Sequence, residues 1–267
     1  MRVALIQFNA TADKPSNIRR ALLLVEQAFK SKATFVLLPE IFNWRGDSRH
    51  PEKLKVAESI PGESSTPFMA LALQYQSHIL LGSLLEKSND PTKMHNTSVL
   101  INPAGEITAK YRKIHLFDAK LDNKIVREAD CFIAGNKRMV ARVDAFTVGL
   151  SICYDVRFPD LYNAYAKAGA NLLVVPSCFM KATGQAHWET LIKARAIENL
   201  AYVLAPNQVG LDGRGMEAFG HSMIVSPWGD VIAKASHDQE EIIMADISID
   251  AVTQARAQLP SLIKVKR

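Results

Sequence analysis

Three polar side chains stand where strand-like segments of this 267-residue chain break off. Glu40 follows TFVLLP, Lys113 lies in KYRKIHLFD just past EITAKY, and Cys153 ends FTVGLSI. A cysteine attacks an acyl carbon as its thiolate, so it needs a base or a cation beside it. A carboxylate buried behind proline and apolar residues is expected to have a raised pKa, which suits it to shuttle protons. An ammonium group stabilises the oxyanion that forms when a carbonyl is attacked. Together the three types suit acyl transfer through a covalent intermediate. Each alone has an ordinary structural reading: a solvated carboxylate, a surface cation, a thiol that fills space in the core. Spacing does not show that they meet.

The elements that would position them alternate in type. VALIQF (3–8) precedes a helix pattern with Ile18, Leu22, Val25 and Phe29 on one face, and TFVLLPE (34–40) follows as a short, nearly all-apolar strand. FTVGLSIC (146–153), the helix pattern DLYNAYAKAGA ending at Gly169, and NLLVVPS (171–177) repeat that order. ATFVLLPEIF (33–42) and ANLLVVPSCF (170–179) match in their alanine, proline and phenylalanine at an offset of 170 − 33 = 137 residues. HILLGSLL, NTSVLINP, EITAKY, RMVARV, AYVLAPN, HSMIVSPWGDVIAKA and EIIMADI have strand texture, with PWGD as a turn. Alternating elements build layered α/β folds whose functional groups gather beyond the carboxyl ends of strands. No Gly- or Ser-rich linker divides the chain, so one domain over 1–267 is expected.

Composition excludes several classes. With 48% hydrophobic and 22% charged residues, the chain has ordinary globular texture. Its net charge of +5 is dispersed, with short basic clusters only at Lys110–Lys113 and Lys264–Arg267, which argues against nucleic-acid binding. Cys131, Cys153 and Cys178 lack CxxC spacing, and the seven histidines form no HExxH, so no structural zinc or metalloprotease site is expected. No apolar stretch approaches the ~20 residues of a membrane span, and no N-terminal signal pattern is seen. A cytoplasmic setting is expected.

LLPEIF, YRKIHLFD and CYDVRFP, in this order, resemble the three catalytic motifs of the nitrilase superfamily, the carbon–nitrogen hydrolases. The separations, 113 − 40 = 73 and 153 − 113 = 40, are similar to those of its amidase branches. The resemblance implies an α/β fold, a four-layer αββα sandwich of the nitrilase type with two mixed β-sheets, and a homodimer or higher homo-oligomer. It implies Glu40 as general base and acid, Lys113 as oxyanion-stabilising cation, Cys153 as nucleophile, and a second glutamate at Glu128 that holds the lysine. The backbone N–H of Tyr154 is implied as a second oxyanion donor. ATGQAHWETLIKARAIENLAYVLAPNQVG (182–210) is similar to the small amidase branch that holds deaminated-glutathione amidase and omega-amidase. The stretch TGxAHWExLxxARAIE is most similar to the deaminated-glutathione group. The implied reaction is hydrolysis of a small carboxylate-bearing amide through a thioester, without cofactor. Omega-amidase, N-carbamoyl amidohydrolase and nitrilase activities are alternatives.

Further positions follow from placement. Arg157 has two readings, as a bidentate partner for a substrate carboxylate or as an internal ion pair with Asp155 or Asp160. Phe179, Thr183 and His187 follow NLLVVPS, where a substrate wall is expected; His187 and Trp188 also suit helix packing. Arg195 and Glu198 read as a buried structural ion pair, and Cys131 and Cys178 as packing. The charged stretch GDSRHPEKLKVAE (46–58) and the segment 119–128 are expected to shape the pocket entrance. The tail SLIKVKR reads either as an arm across a subunit interface or as a disordered end. Two other classes compete: a Cys–His hydrolase with His115, His187 or His221 as base, and a non-catalytic interaction module on the same fold.

Overall fold

The apolar runs form strands buried on both faces. Residues 1–46, 50–121, 124–213 and 215–262 are described in the computed structural model. In chain order the elements are β1 (Arg2–Gln7), α1 (Lys14–Lys30), β2 (Phe35–Leu37), α2 (His50–Val56), α3 (Thr66–Tyr75), β3 (His78–Lys87), β4 (Met94–Ile101) and β5 (Ile107–Arg112). The hairpin β6 (Asp118–Leu121) and β7 (Lys124–Arg127) follows, then β8 (Val140–Val143), β9 (Phe146–Leu150), α4 (Pro159–Lys167), β10 (Leu172–Val174), α5 (Lys181–Asn199) and β11 (Tyr202–Ala205). The chain continues through β12 (Val209–Leu211), β13 (Glu217–Phe219), β14 (Met223–Val225), β15 (Val231–Lys234), β16 (Glu241–Asp246) and α6 (Ile249–Gln258).

Two six-stranded mixed sheets result, in the orders β16-β1-β2-β3-β4-β5 and β15-β14-β11-β10-β9-β8. In each, three strands run parallel and the outer ones antiparallel. Side chains alternate across a strand, so one strand can serve two layers. Val3, Leu5, Phe35, Leu37, Leu80 and Leu100 join Val148, Leu150, Leu172 and Val174 in a core between the sheets. Their neighbours Ala4, Ile6, Val36, Ile79 and Val99 face the other way, onto Ile18, Ala21 and Val25 of α1 and Phe68 and Ala72 of α3. On the outer face of the second sheet, a Cβ at Gly149 of β9 would lie 2.8 Å from the ring of Tyr165 in α4, so helix and strand touch directly there. The layers are therefore helix, sheet, sheet, helix.

The expected strands and helices are present, and the block at offset 137 corresponds to β2 and β10, which hold the same central place in their sheets. The segment 118–130, for which the sequence marked no element, contains the β6–β7 hairpin and a 3-10 turn over Glu128–Asp130. DAKL and KIVR have too few apolar residues to signal a strand; their pairing with each other stabilises it. The β12–β13 pair was likewise not marked by any apolar run. Of the tail, residues 263–267 lie outside the described residues. Among the described residues no helix is long and apolar enough to cross a membrane.

Candidate active site

Glu40 sits three residues beyond the end of β2, carried by Leu38 and Pro39. The backbone there runs so close to β3 that a Cβ at Gly82 would lie 2.0 Å from the Leu38 carbonyl and 2.3 Å from that of Pro39. Only glycine fits this approach. The next residue, Ser83, accepts the Ile41 N–H on its Oγ at 2.9 Å, and Ile41 takes a left-handed φ of 49°. This sharp bend turns the Glu40 carboxylate inward, where the side chain is buried. Oε1 accepts from Asn96 Nδ2 of β4 at 2.8 Å and from Lys113 Nζ at 2.9 Å, and Oε2 accepts from the Cys178 backbone N–H at 2.9 Å.

Lys113 follows β5 directly and is held by its backbone to Asn96 and Gly135, both at 2.8 Å. Its buried Nζ also meets Glu128, at 3.1 Å from Oε1 and 2.9 Å from Oε2. Glu128 opens its 3-10 turn and accepts the Phe117 N–H at 2.7 Å. Burial opposes charge on Lys113, but Glu128 and Glu40 outweigh it and hold the ammonium well above the ordinary lysine range. Burial raises the Glu128 pKa, with Lys113 pulling the other way and Glu40 adding to the rise.

Cys153 begins the 3-10 turn Cys153–Arg157 just past β9. It takes φ 46°, a left-handed conformation that costs a non-glycine residue on the order of 1–3 kcal/mol and persists only where surroundings enforce it. Two ties enforce it. The Cys153 N–H donates to the Pro176 carbonyl at 2.9 Å, beyond β10. Fully buried Asp155 accepts from Ile152 N–H at 2.9 Å, Tyr111 OH at 2.7 Å and His115 N–H at 3.0 Å, and meets His115 Nδ1 at 2.7 Å. Asp155 thus braces the cysteine turn against the stretch that carries Lys113. Burial first, then the negative charge of Glu40, push the Cys153 thiol well up, with Lys113 opposing. At neutral pH the sulfur therefore rests protonated beside a carboxylate.

Glu40, Lys113, Glu128 and Cys153 line one cavity of about 970 Å³, mouth included. Tyr154, Arg157, Phe179 and Thr183 also line it. His187 does not: it is exposed on α5, with Nδ1 3.3 Å from Arg157 Nη2. Among the described residues no histidine lines the cavity, since His115 is held by Asp155 and stacked on Phe158, and His221 is stacked on Phe219. That removes the geometric basis for a Cys–His pair. Arg157 forms no ion pair with Asp155 or Asp160 among the described residues; it lies over the rings of Phe179 and Tyr154, at 5.2 and 5.8 Å. Arg195 is buried and donates to the Val156 carbonyl at 2.9 Å, whereas its partner Glu198 is 45% exposed, so the pair is buried at one end only.

Cys131 packs with Trp44, Leu85, Met94 and Phe132, as expected, but Cys178 lines the cavity and its N–H holds Glu40. Gly46, Lys53 and Val126 bring the segments 46–58 and 119–128 onto the lining, while residues 47–49 and 122–123 lie outside the described residues. Sequence reasoning missed Gly82, Asn96 and Asp155. The available signals were a glycine inside the apolar run LLGSLL, an asparagine opening a strand, and an acid two residues past the cysteine. Among the described residues no three His, Cys, Asp or Glu side chains group as metal ligands.

The carbon-nitrogen hydrolase family model matches residues 2–257. The chain is 40% identical over 261 residues to omega-amidase NIT2 of Xenopus tropicalis, covering 97% of this chain and 92% of that one. The structure of the C. elegans NitFhit protein superimposes with a TM-score of 0.91 at 35% identity, covering 97% of this chain and 63% of that chain. A glutamate-to-glutamine mutant of the amidase from Nesterenkonia sp. AN1, with the acetamide moiety of fluoroacetamide added covalently at its active site cysteine, matches with a TM-score of 0.80 at 25% identity, covering 97% and 95%.

Proposed function

The chain belongs to the carbon–nitrogen hydrolase family and is a hydrolase of C–N bonds other than peptide bonds, and on that premise we propose a cysteine-dependent amidase that works through a thioester on a small, carboxylate-bearing amide. The observation that carries this reading is the single cavity floor on which the Cys153 thiol, the Glu40 carboxylate and the Lys113 ammonium converge.

The thiol rests protonated, so attack and deprotonation go together: sulfur bonds to the amide carbon as its proton passes to Glu40. The developing oxyanion is received by Lys113 and the Tyr154 backbone N–H. An ammonium has three donors; with Glu40 and Glu128 each taking one, the third serves the oxyanion. Glu40 hands its proton to the departing nitrogen, the C–N bond breaks, and ammonia or an amine leaves. Water then loses a proton to Glu40 and adds to the thioester. Sulfur departs and recovers the proton from Glu40, releasing the acid. Glu128 is a positioning residue that fixes the ammonium. Phe179, Thr183 and Arg157 form the wall that meets the rest of the substrate.

Omega-amidase chemistry is the first choice, supported by 40% identity to a protein of that name. Deaminated glutathione is the second, supported by the stretch TGxAHWExLxxARAIE. Ammonia release and product mass, measured on alpha-ketoglutaramate, deaminated glutathione, N-carbamoyl compounds and simple nitriles, separate them. Turnover that persists in Cys153→Ala overturns the mechanism. We further infer one domain, supported by the continuous core between the sheets, and a homodimer in a reducing compartment such as the cytoplasm. Exposed Ile197 on α5, which lies against Gly229, and the exposed Trp228 and Ile232 supply apolar surface for pairing; sedimentation as a monomer at micromolar concentration overturns the dimer.

A further inference from the structure

Arg45 is the buried cation of the cavity that the mechanism leaves unused. It stands five residues past Glu40 (45 − 40 = 5), in the stretch IFNWRG. Its backbone is tied on both sides, the N–H donating to Thr11 O at 2.9 Å and the carbonyl accepting from Gly213 N–H at 3.0 Å. The residue is only 7% exposed, yet it lines the cavity. Nη1 donates to the Val209 carbonyl at 3.2 Å and comes within 3.5 Å of Gln208 Oε1, both neutral oxygens. Nε is buried with no partner. Among the described residues no carboxylate forms an ion pair with this guanidinium. Asp212, also on the lining, accepts the Met216 N–H.

A guanidinium stays charged at all relevant pH, and burying it without a counter-charge is costly. A wall position with that imbalance is where a ligand of opposite charge is accommodated. The position is also rigid: Gln208, beside Arg45, donates from Nε2 to the Glu40 carbonyl at 3.0 Å, so the cation and the proton-shuttling residue share one brace. Arg157, by contrast, is only half-buried and lies over two aromatic rings, where solvent weakens its charge.

We propose that Arg45 is the anion subsite of the cavity: its guanidinium receives the carboxylate of the amide substrate, so the ligand brings the counter-charge that the described residues do not supply. This rests on the amidase reading and adds to it the group that selects charged over neutral amides.

The test compares succinamate with butyramide, which share a four-carbon acyl chain and differ in the terminal carboxylate. Wild type prefers succinamate in kcat/KM, and Arg45→Met lowers that preference by about 30- to 100-fold, mostly through KM, the range expected for a lost charged hydrogen bond. Arg45→Lys restores part of it. An unchanged preference in Arg45→Met, or its complete loss in Arg157→Met alone, overturns the proposal. If Arg45→Met does not fold, judged by its melting temperature, Arg45→Lys carries the test: losing the planar fork lowers the preference about tenfold, and no change overturns it. If wild type turns over neither amide nor alpha-ketoglutaramate nor deaminated glutathione, the amidase reading fails on its own. The subsite is then read by alkylation of Cys153 with iodoacetamide, which succinate slows in wild type and not in Arg45→Met. Equal protection in both proteins, or none in wild type, overturns it.

Discussion

β1, β2 and β3 run parallel and are followed by antiparallel β4 and β5; β9, β10 and β11 run parallel and are followed by antiparallel β14 and β15. The two halves thus present equivalent strand ends, and the sequence offset of 137 places Ser177 opposite Glu40 (40 + 137 = 177). Ser177 Oγ turns back to its own Val175 carbonyl at 3.0 Å, while Glu40 reaches into the cavity. At the ends of β1 and β9 the roles reverse. Gln7 is bonded to Ser236 and Ser222, and the stretch past β9 presents Cys153. Duplicate topology supplies duplicate positions, and side-chain identity makes only one of each pair chemical. The charged groups come from the first half and the sulfur from the second. The seam between them carries the bonds from Cys178 N–H to Glu40 Oε2 and from Gln208 Nε2 to Glu40 O.

The sharpest way to break this comparison is to remove one chemical member and its silent counterpart. Cys153→Ala is expected to reduce ammonia release to background and to leave no thioester detectable by mass. Glu40→Gln is expected to lower kcat by about 10²- to 10⁴-fold, the range for a lost general acid–base. Ser177→Ala, its counterpart, changes kcat/KM by less than about threefold. Comparable losses at 40 and 177 would end the claim that the halves differ in chemistry.

Lys113→Met tests whether charge balance lives in the first half alone. It removes an oxyanion donor, at a cost of about 100- to 1,000-fold in rate. It also leaves Glu40 and Glu128 facing each other unneutralised, which destabilises the fold by about 3–5 kcal/mol, read by denaturant melts. Gly82→Ala forces β3 off the Leu38 and Pro39 carbonyls and is expected to cost about 1–3 kcal/mol, with activity falling as Glu40 moves.

The smallest effect is on pH dependence. The folded Cys153 thiol holds its proton more tightly than an unfolded thiol, whose pKa is about 8.5. Its contribution to stability is therefore complete below about pH 8.5 and is lost as pH rises above it. Lys113, also raised, adds a loss of the same sign above about pH 10.4. Melting temperatures between pH 7 and 10 should fall less steeply for Cys153→Ala than for wild type; identical slopes would remove the buried thiol from the account.

Residues 40 and 153 were visible in the sequence because each ends or follows an apolar run, which a strand buried on both faces writes directly into the chain, and residue 113 because it follows the alternating pattern of a strand buried on one face. The same physics made β1, β2, β9 and β10 legible, along with their helices. Hairpin β6–β7 was not, because it is stabilised by its partner strand rather than by its own composition. What only the tertiary structure decided is convergence. Asn96, Asp155, Gly82 and Cys178 matter through where their polar atoms or missing side chain lie. His187 pointed outward although its place in the chain suited a wall. Arg45 carried no signal in the sequence, and folding buried it with no acid paired to it among the described residues. Local order leaves a local pattern, whereas a contact across 73 or 113 residues (113 − 40 and 153 − 40) leaves none. The first forms between the ends of β2 and β5 within one sheet, and the second exists only once the two sheets have closed on each other.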